Sequence, residues 1–243
     1  MRYADFDNPV VQEKAHLLAE NTSSTAEIVS NIFHYVRDGI QFAFHPEIDQ
    51  LSASEIIKRR AGQCNNKSIV FLALCQALEI PARIHFSDID RNIHRGFIPV
   101  IALPFFPDKI SHSWLEIEID GRWHRIDSYI NDLDLFYAGR AEIIKRGWDT
   151  GFSVADPENA VAEFSLDKEN FVQMAAVTKE HGSYTDPADY FESNLYQNRK
   201  TGIRKILGGL VMREMNRRVK HIRQAYQQHV ATTGYNRKIS ATN

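Results

Sequence analysis

The sequence predicts an α+β fold built around an antiparallel sheet, and three stretches carry that prediction. In residues 111–127, Leu115, Ile117 and Ile119 alternate with Trp114, Glu116 and Glu118, and Asp120-Gly121 is the favoured two-residue hairpin turn. Residues 64–78 carry Ile69, Val70, Phe71, Leu72, Leu74, Cys75 and Leu78, leaving little room for a polar face. A helix apolar nearly all round belongs in the core. Two S-x-x-E capping boxes, Ser24/Glu27 and Ser52/Glu55, precede it and announce helix starts. Helices, one buried helix, several strands and more helices follow in that order, which is the α+β pattern.

The elements are expected as follows. Residues 9–20 form a helix with Val10, Val11, Ala15, Leu17 and Leu18 apolar, and the helix after Ser24 presents Ile28, Ile32, Phe33 and Val36 at helical spacing. The helix opened by Ser52 runs to Arg60, with Gly62 as its C-terminal glycine. Pro81 ends the buried helix by disfavouring helical geometry at Ile80. Residues 83–86 and 97–103 read as strands, and 122–128 is the return strand of the hairpin. A helix over 133–146, an irregular stretch, helical segments from Pro187 to about Gln228 and a frayed end complete the chain. The expected organisation is a core over 1–130 with N-terminal helices, and a mainly helical extension over 131–243 packed on it.

Composition narrows the classes. The chain has 243 residues, 43% hydrophobic and 25% charged, enough to bury a sizeable core. Met1 is followed at once by polar residues, with no apolar run of signal-peptide or membrane-spanning length, so a cytoplasmic protein is expected. Two cysteines are too few for a disulfide scaffold or a four-cysteine zinc site. On one helix, Cys64 and Cys75 stand roughly 16 Å apart, beyond disulfide reach. The net charge of -2 hides an asymmetry: residues 1–196 hold 18 basic and 30 acidic side chains, residues 197–243 hold 11 basic and one acidic, Glu214. A basic segment of this kind either lies across the acidic body or contacts a membrane surface through residues 199–223. Docking on the body is the preferred reading, and no strong nucleic-acid signal accompanies it.

Cys64 carries the chemistry. At the first turn of a helix, unpaired N–H groups and the helix dipole stabilise a thiolate, whereas Cys75 reads as an inert buried thiol. The hairpin register supplies partners. If Ile119 pairs with Arg122, Trp114 falls opposite Asp127 and His112 opposite Tyr129. His112 and Asp127 are then diagonal neighbours on one face, within the roughly 7–8 Å that side chains bridge. The carboxylate can orient one imidazole nitrogen while the other faces a thiol. The same register sets Glu116 opposite Arg125 as a cross-strand ion pair. His85, His94 and His124 are the competing bases; His85 has no acidic strand partner evident in the sequence, and His124 falls on the other face. Trp114 reads as packing, and Asn65 and Asn66 as helix-capping or site-lining residues.

These features resemble the transglutaminase-like superfamily of papain-type thiol enzymes. The resemblance rests on Ala53-Ser54-Glu55-Ile56-Ile57 leading to Gly62-Gln63-Cys64, on the sequence from Ala73 to Ile84, and on HSWLEIEIDGRWHRID at 112–127. It covers about residues 24–130. It implies a papain/transglutaminase-like core with the helix-borne cysteine packed against the sheet, and Cys64, His112 and Asp127 as a catalytic triad. Two departures stand out. Papain relatives place a glutamine six residues before the cysteine where this chain has Lys58, and animal transglutaminases use an upstream tryptophan where this chain has none before Trp114. Gln63 and Gln41 are therefore the candidates for the second oxyanion donor beside the Cys64 N–H. No calcium loop is complete: Asp88-x-Asp90-x-Asn92 lacks the required glycine.

The expected activity is cleavage of an amide or peptide bond of a protein, peptide or small amide through a thioester, with water preferred over an amine as acceptor and no cofactor or metal. The alternative is a non-catalytic module of the same fold that uses its basic segment to bind a partner, a membrane surface or nucleic acid.

Overall fold

The computed structural model describes residues 2–45, 47, 49–199 and 203–233; side chains at 105 and 203–207 are not described. The helices are α1 (Pro9–Ala19), α2 (Thr25–His34), α3 (Ala53–Arg59), α4 (Cys64–Ala77), α5 (Leu133–Arg146), α6 (Pro187–Glu192) and α7 (Ile203–Thr233). The strands are β1 (Gln41–Phe42), β2 (Ala61–Gly62), β3 (Ala82–Asp90), β4 (Lys109–Ile119), β5 (Arg122–Ile126), β6 (Thr150–Gly151), β7 (Val154–Ala155) and β8 (Val177–Tyr184). The central sheet is antiparallel, in the order β5-β4-β3-β8. α4 packs across β3 and β4 and is buried from Cys64 through Cys75, including the polar Asn65, Asn66, Lys67 and Ser68 of its first turns as well as the apolar run from Ile69. The fold is α+β.

Both capping serines cap their helices, and one of the two expected boxes is reciprocal. Ser52 and Glu55 form a reciprocal box at α3. Ser24 caps α2 through the Glu27 N–H, but the Glu27 carboxylate reaches one residue further back, to the N–H and hydroxyl of Ser23. Gly62 is not the C-terminal glycine of α3. Arg60 takes the left-handed conformation there, at φ 53°, and its N–H bonds Ile56 O. Gly62 instead pairs with Phe42 in the short parallel ladder of β1 and β2. A Cβ at Gly62 would meet the Asn66 Cβ at 2.6 Å, so the chain needs glycine to pass this close to α4. Gly62→Ala is expected to cost about 1–3 kcal/mol by overpacking. A urea midpoint equal to that of the parent would overturn this.

The hairpin register is the expected one, running from Ile119↔Arg122 to Leu115↔Ile126. Asp120 and Gly121 have φ of 51° and 74°, both left-handed, as the tight turn demands. Pairing stops at Ile126, so Asp127 leaves the strand. Glu116 does face Arg125 in register, yet its carboxylate leans to β3 instead. There it accepts from Arg83 Nε (2.5 Å) and His85 Nε2 (2.7 Å), while Arg125 pairs with Glu169. β4 is a central strand, so a side chain on it chooses between two neighbours. His85 thus has the acidic partner that the sequence did not reveal.

Two further expectations fail for identifiable reasons. The proposed strand at 97–103 is a turn leading into a 3-10 helix, Val100–Phe105, with Val100 and Ile101 exposed. Pro99 and Pro104 bracket it, and proline removes the N–H groups a ladder needs. β8 escaped notice because its face is largely polar and exposed; it is an edge strand paired only with β3. The segment after residue 130 therefore contributes a strand to the central sheet as well as helices.

α7 runs unbroken through Gly208-Gly209 and packs on α5. Met215 and Val219 enter the core, and Tyr226 stacks on Tyr137. The Asn216 amide bonds both the N–H and the C=O of Phe44. Arg223 makes two bonds to Asp132 (2.6 and 2.9 Å) and one to Phe42 O. The described part of the basic segment thus lies against the body at a buried carboxylate. Residues 200–202 and the expected frayed end at 234–243 lie outside the described residues, as do the side chains of Ile203, Arg204, Lys205, Ile206 and Leu207.

Candidate active site

Cys64 opens α4 and is almost wholly buried, at 8% exposure. The Gln63 N–H donates to Asn66 Oδ1 (3.2 Å), which anchors the helix start, and Asn65 Nδ2 reaches Ser111 O on β4 (3.5 Å). The sulfur itself contacts Asn65 Oδ1 (3.8 Å). Backbone N–H groups of Asn65, Ser113 and Cys64 face it and favour a thiolate. They do not win. Burial, followed by the nearby Asp49 carboxylate, pushes the thiol up to about 12. The thiol rests neutral, contrary to the low value that a helix start alone would give.

His112 sits on β4 one residue from Ser113 and is fully buried. Neither ring nitrogen has a hydrogen-bond partner among the described residues. Burial, then the nearby His94, lowers its basicity to about 3, so the imidazole is neutral. His94 ends the 3-10 turn after β3, packs edge-on against Phe44 at 4.9 Å, and is lowered to about 4 by burial. The fold thus places one of the competing histidines close to His112.

Asp127 is also fully buried, but the expected hydrogen bond to His112 is not made. Its oxygens accept the backbone N–H groups of Val172 (2.6 Å), Gln173 (2.7 Å) and Met174 (2.9 Å). Burial raises the carboxyl to about 7 against the pull of these three donors. The segment that supplies them shows no periodicity in the sequence, so nothing local announced it. Gln173 in turn bonds Ser153, and Asn131 bonds the same residue's carbonyl.

The remaining candidates separate. Gln63 is buried beside the site, but its Nε2 is engaged by Asp49 (3.2 Å). Gln41 is exposed on β1 opposite Ala61. Trp114 is buried and stacks on His85, ring centroids 4.0 Å apart. Sequence reasoning missed Asp49 and Ser111. Asp49 is a buried carboxylate to which Gln63, Tyr196 and Asn198 donate. Only the folded chain gathers those donors from two distant segments. Among the described residues no cluster of three His, Cys, Asp or Glu is arranged to hold a metal, and no helix is long and apolar enough to cross a membrane.

Helix-borne cysteine, antiparallel sheet and strand histidine define a thiol-enzyme type of architecture. Residues 12–128 match the transglutaminase-like superfamily, the family that the sequence resembles. Among solved structures, the chain is similar to a protein of Cytophaga hutchinsonii provisionally named a cysteine protease, with 18% identity and a TM-score of 0.47. That match covers 78% of this chain and 46% of the other. A provisionally named protease of Parabacteroides distasonis matches at 11% identity and TM-score 0.36, covering 51% and 25%. A TGase matches at 14% identity and TM-score 0.32, covering 48% and 31%. The chain spans less than half the length of each of these proteins. No curated protein sequence matches it.

Proposed function

We propose that the chain is a cysteine enzyme that cleaves an amide or peptide bond through a thioester on Cys64. The observation that carries this reading is the His112 imidazole. Both its nitrogens are buried and have no hydrogen-bond partner among the described residues, one residue along β4 from the Ser113 N–H that faces the sulfur. A buried polar group without a partner costs about 1–3 kcal/mol, and nothing in the packing recovers that cost. A neutral imidazole is the form able to accept a thiol proton.

His112 takes the proton as the sulfur attacks the carbonyl carbon and returns it to the departing amine. Water then attacks the thioester, releasing the acid and the thiol. The Cys64 and Ser113 N–H groups flank the sulfur and are the donors for the oxyanion. Asp127, the third member of the proposed triad, accepts the backbone N–H groups of residues 172–174 in the resting state. Hydrolysis is preferred over amine transfer.

The second reading, a non-catalytic module, draws on the engagement of Asp127 by three amides. Incubation with a peptide library followed by intact-mass analysis separates the two. The enzyme reading expects an acyl adduct on Cys64 that is absent in Cys64→Ala. Neither adduct nor turnover with any peptide, acid-quenched at short times, would sink it.

A further inference from the structure

Among the described residues the three most exposed large apolar side chains are Ile101 (84%), Val100 (80%) and Leu210 (62%). The first two tip the 3-10 helix Val100–Phe105, and the third stands on α7, against which that helix packs. Residues 97–107 contain no charged side chain. The turn is held from within. Phe97, Ile98 and Ala102 enter the core, and the Arg91 guanidinium donates to the carbonyls of Leu103 (3.2 Å) and Phe106 (3.0 Å). With the turn fixed in this way, Val100 and Ile101 stay in water, which is unfavourable for apolar surface.

α7 divides its side chains between two faces. One carries Met215 and Val219 into the core and Arg223 onto Asp132. Leu210, Arg213, Arg217 and Lys220 are exposed, and their spacing sets them in one stripe on the opposite face. Acidic side chains hardly offset this stripe. Glu214, the single carboxylate of residues 197–243, is taken up by Arg217 and Arg218. Arg213 and Lys220 have no ion-pair partner among the described residues, and Asp108, just after the turn, is paired with Arg91. A fixed apolar tip thus adjoins a helix whose outer face is cationic.

We propose that the 3-10 helix Val100–Phe105 and the outer stripe of α7 form one docking surface for an anionic lipid bilayer. Val100, Ile101 and Leu210 enter the interface, and Arg213, Arg217 and Lys220 lie against the headgroups. Burial of the apolar side chains and attraction of the cations to anionic lipid add to one another. A nucleic acid would use the cations and leave Val100 and Ile101 in water. An apolar protein partner would cover the tip and leave the cations unmatched. An anionic bilayer offers a complement to both. The surface uses none of the residues assigned to the thiol chemistry above and does not depend on that reading.

The test is co-sedimentation of the full chain with vesicles of phosphatidylcholine alone and of phosphatidylcholine with phosphatidylserine at about 3:1. Binding to the anionic vesicles is expected to be about tenfold tighter or more, and to weaken as salt is raised. Val100→Ser with Ile101→Ser should weaken it about tenfold, through lost apolar burial. Arg213→Gln with Lys220→Gln should weaken it about twentyfold, at roughly fivefold for each charge, and flatten the salt dependence. All four side chains are exposed, so both pairs should keep the parent's urea midpoint. If the serine pair shifts that midpoint, Ile101→Trp decides, because an interfacial tryptophan must then tighten binding. Equal binding to both vesicles, or none to either, overturns the proposal. Parent-level binding by the serine pair would mark a surface for polyanions at large, such as nucleic acid or an acidic protein. Parent-level binding by the glutamine pair would mark a purely apolar contact. Either result overturns the lipid reading.

Discussion

His112→Ala is expected to lower amide turnover by about 10²–10⁴-fold, the usual contribution of a positioned general base. The size of the effect follows from the resting state of the thiol. Burial and Asp49 hold Cys64 up to about 12, so at neutral pH almost no thiolate forms without a proton acceptor at hand. His112 is neutral at that pH, because burial lowers it to about 3, and both its nitrogens lack partners. The loss should appear in kcat more than in KM, since the imidazole acts on the proton and not on substrate binding. The variant should stay folded, because removing an unsatisfied imidazole exchanges one cost for a cavity. Parent-level turnover in His112→Ala would reject the assignment. A comparable loss in His94→Ala alone, with His112→Ala active, would move the role to the neighbouring ring.

Arg223→Met is expected to lower stability by about 3–5 kcal/mol, the cost of removing one partner of a buried ion pair. Asp132 and Arg223 are both nearly buried, at 9% and 11% side-chain exposure. Burial opposes ionisation of Asp132, but the hydrogen bonds and charge of Arg223 outweigh it and keep the carboxyl below its ordinary value. Asp132 also accepts the Phe42 and Leu135 N–H groups, so it joins β1 and the start of α5 to α7. Without the guanidinium, the carboxylate stays buried, with the charge of Lys67 still favouring its ionised form. The check is a double-mutant cycle by urea unfolding. Arg223→Met with Asp132→Asn should cost less than the sum of the single changes. Additive losses, or a single-variant cost under about 1 kcal/mol, would show the pair to be a surface-type contact.

Much of the architecture is legible before folding because it is encoded in local periodicity. The alternation of Leu115, Ile117 and Ile119 and the Asp120-Gly121 turn specify the β4–β5 register residue by residue. The apolar run from Ile69 to Cys75 specifies a buried helix, and Ser52 with Glu55 specifies where α3 begins. The failures share a cause. Residues 97–103 are apolar without being strand, because Pro99 and Pro104 deny the ladder its donors. β8 is strand without being apolar, because an edge position asks little of its side chains.

The site divides along the same line. From the sequence alone came Cys64 at the start of the buried helix, His112 on one strand of the hairpin and Asp127 just past the end of the other, since helix position and hairpin register are properties of contiguous residues. Only the tertiary structure decided whom each polar group meets. Asp127 meets the amides of 172–174, Glu116 meets Arg83 and His85, Cys64 lies near Asp49, and Ser111 meets Asn198. A hydrophobic pattern states that a side chain is buried. A hydrogen-bond partner is chosen by distance and direction among segments that can lie 87 residues apart, as Ser111 and Asn198 do, and that choice exists only once the chain is packed.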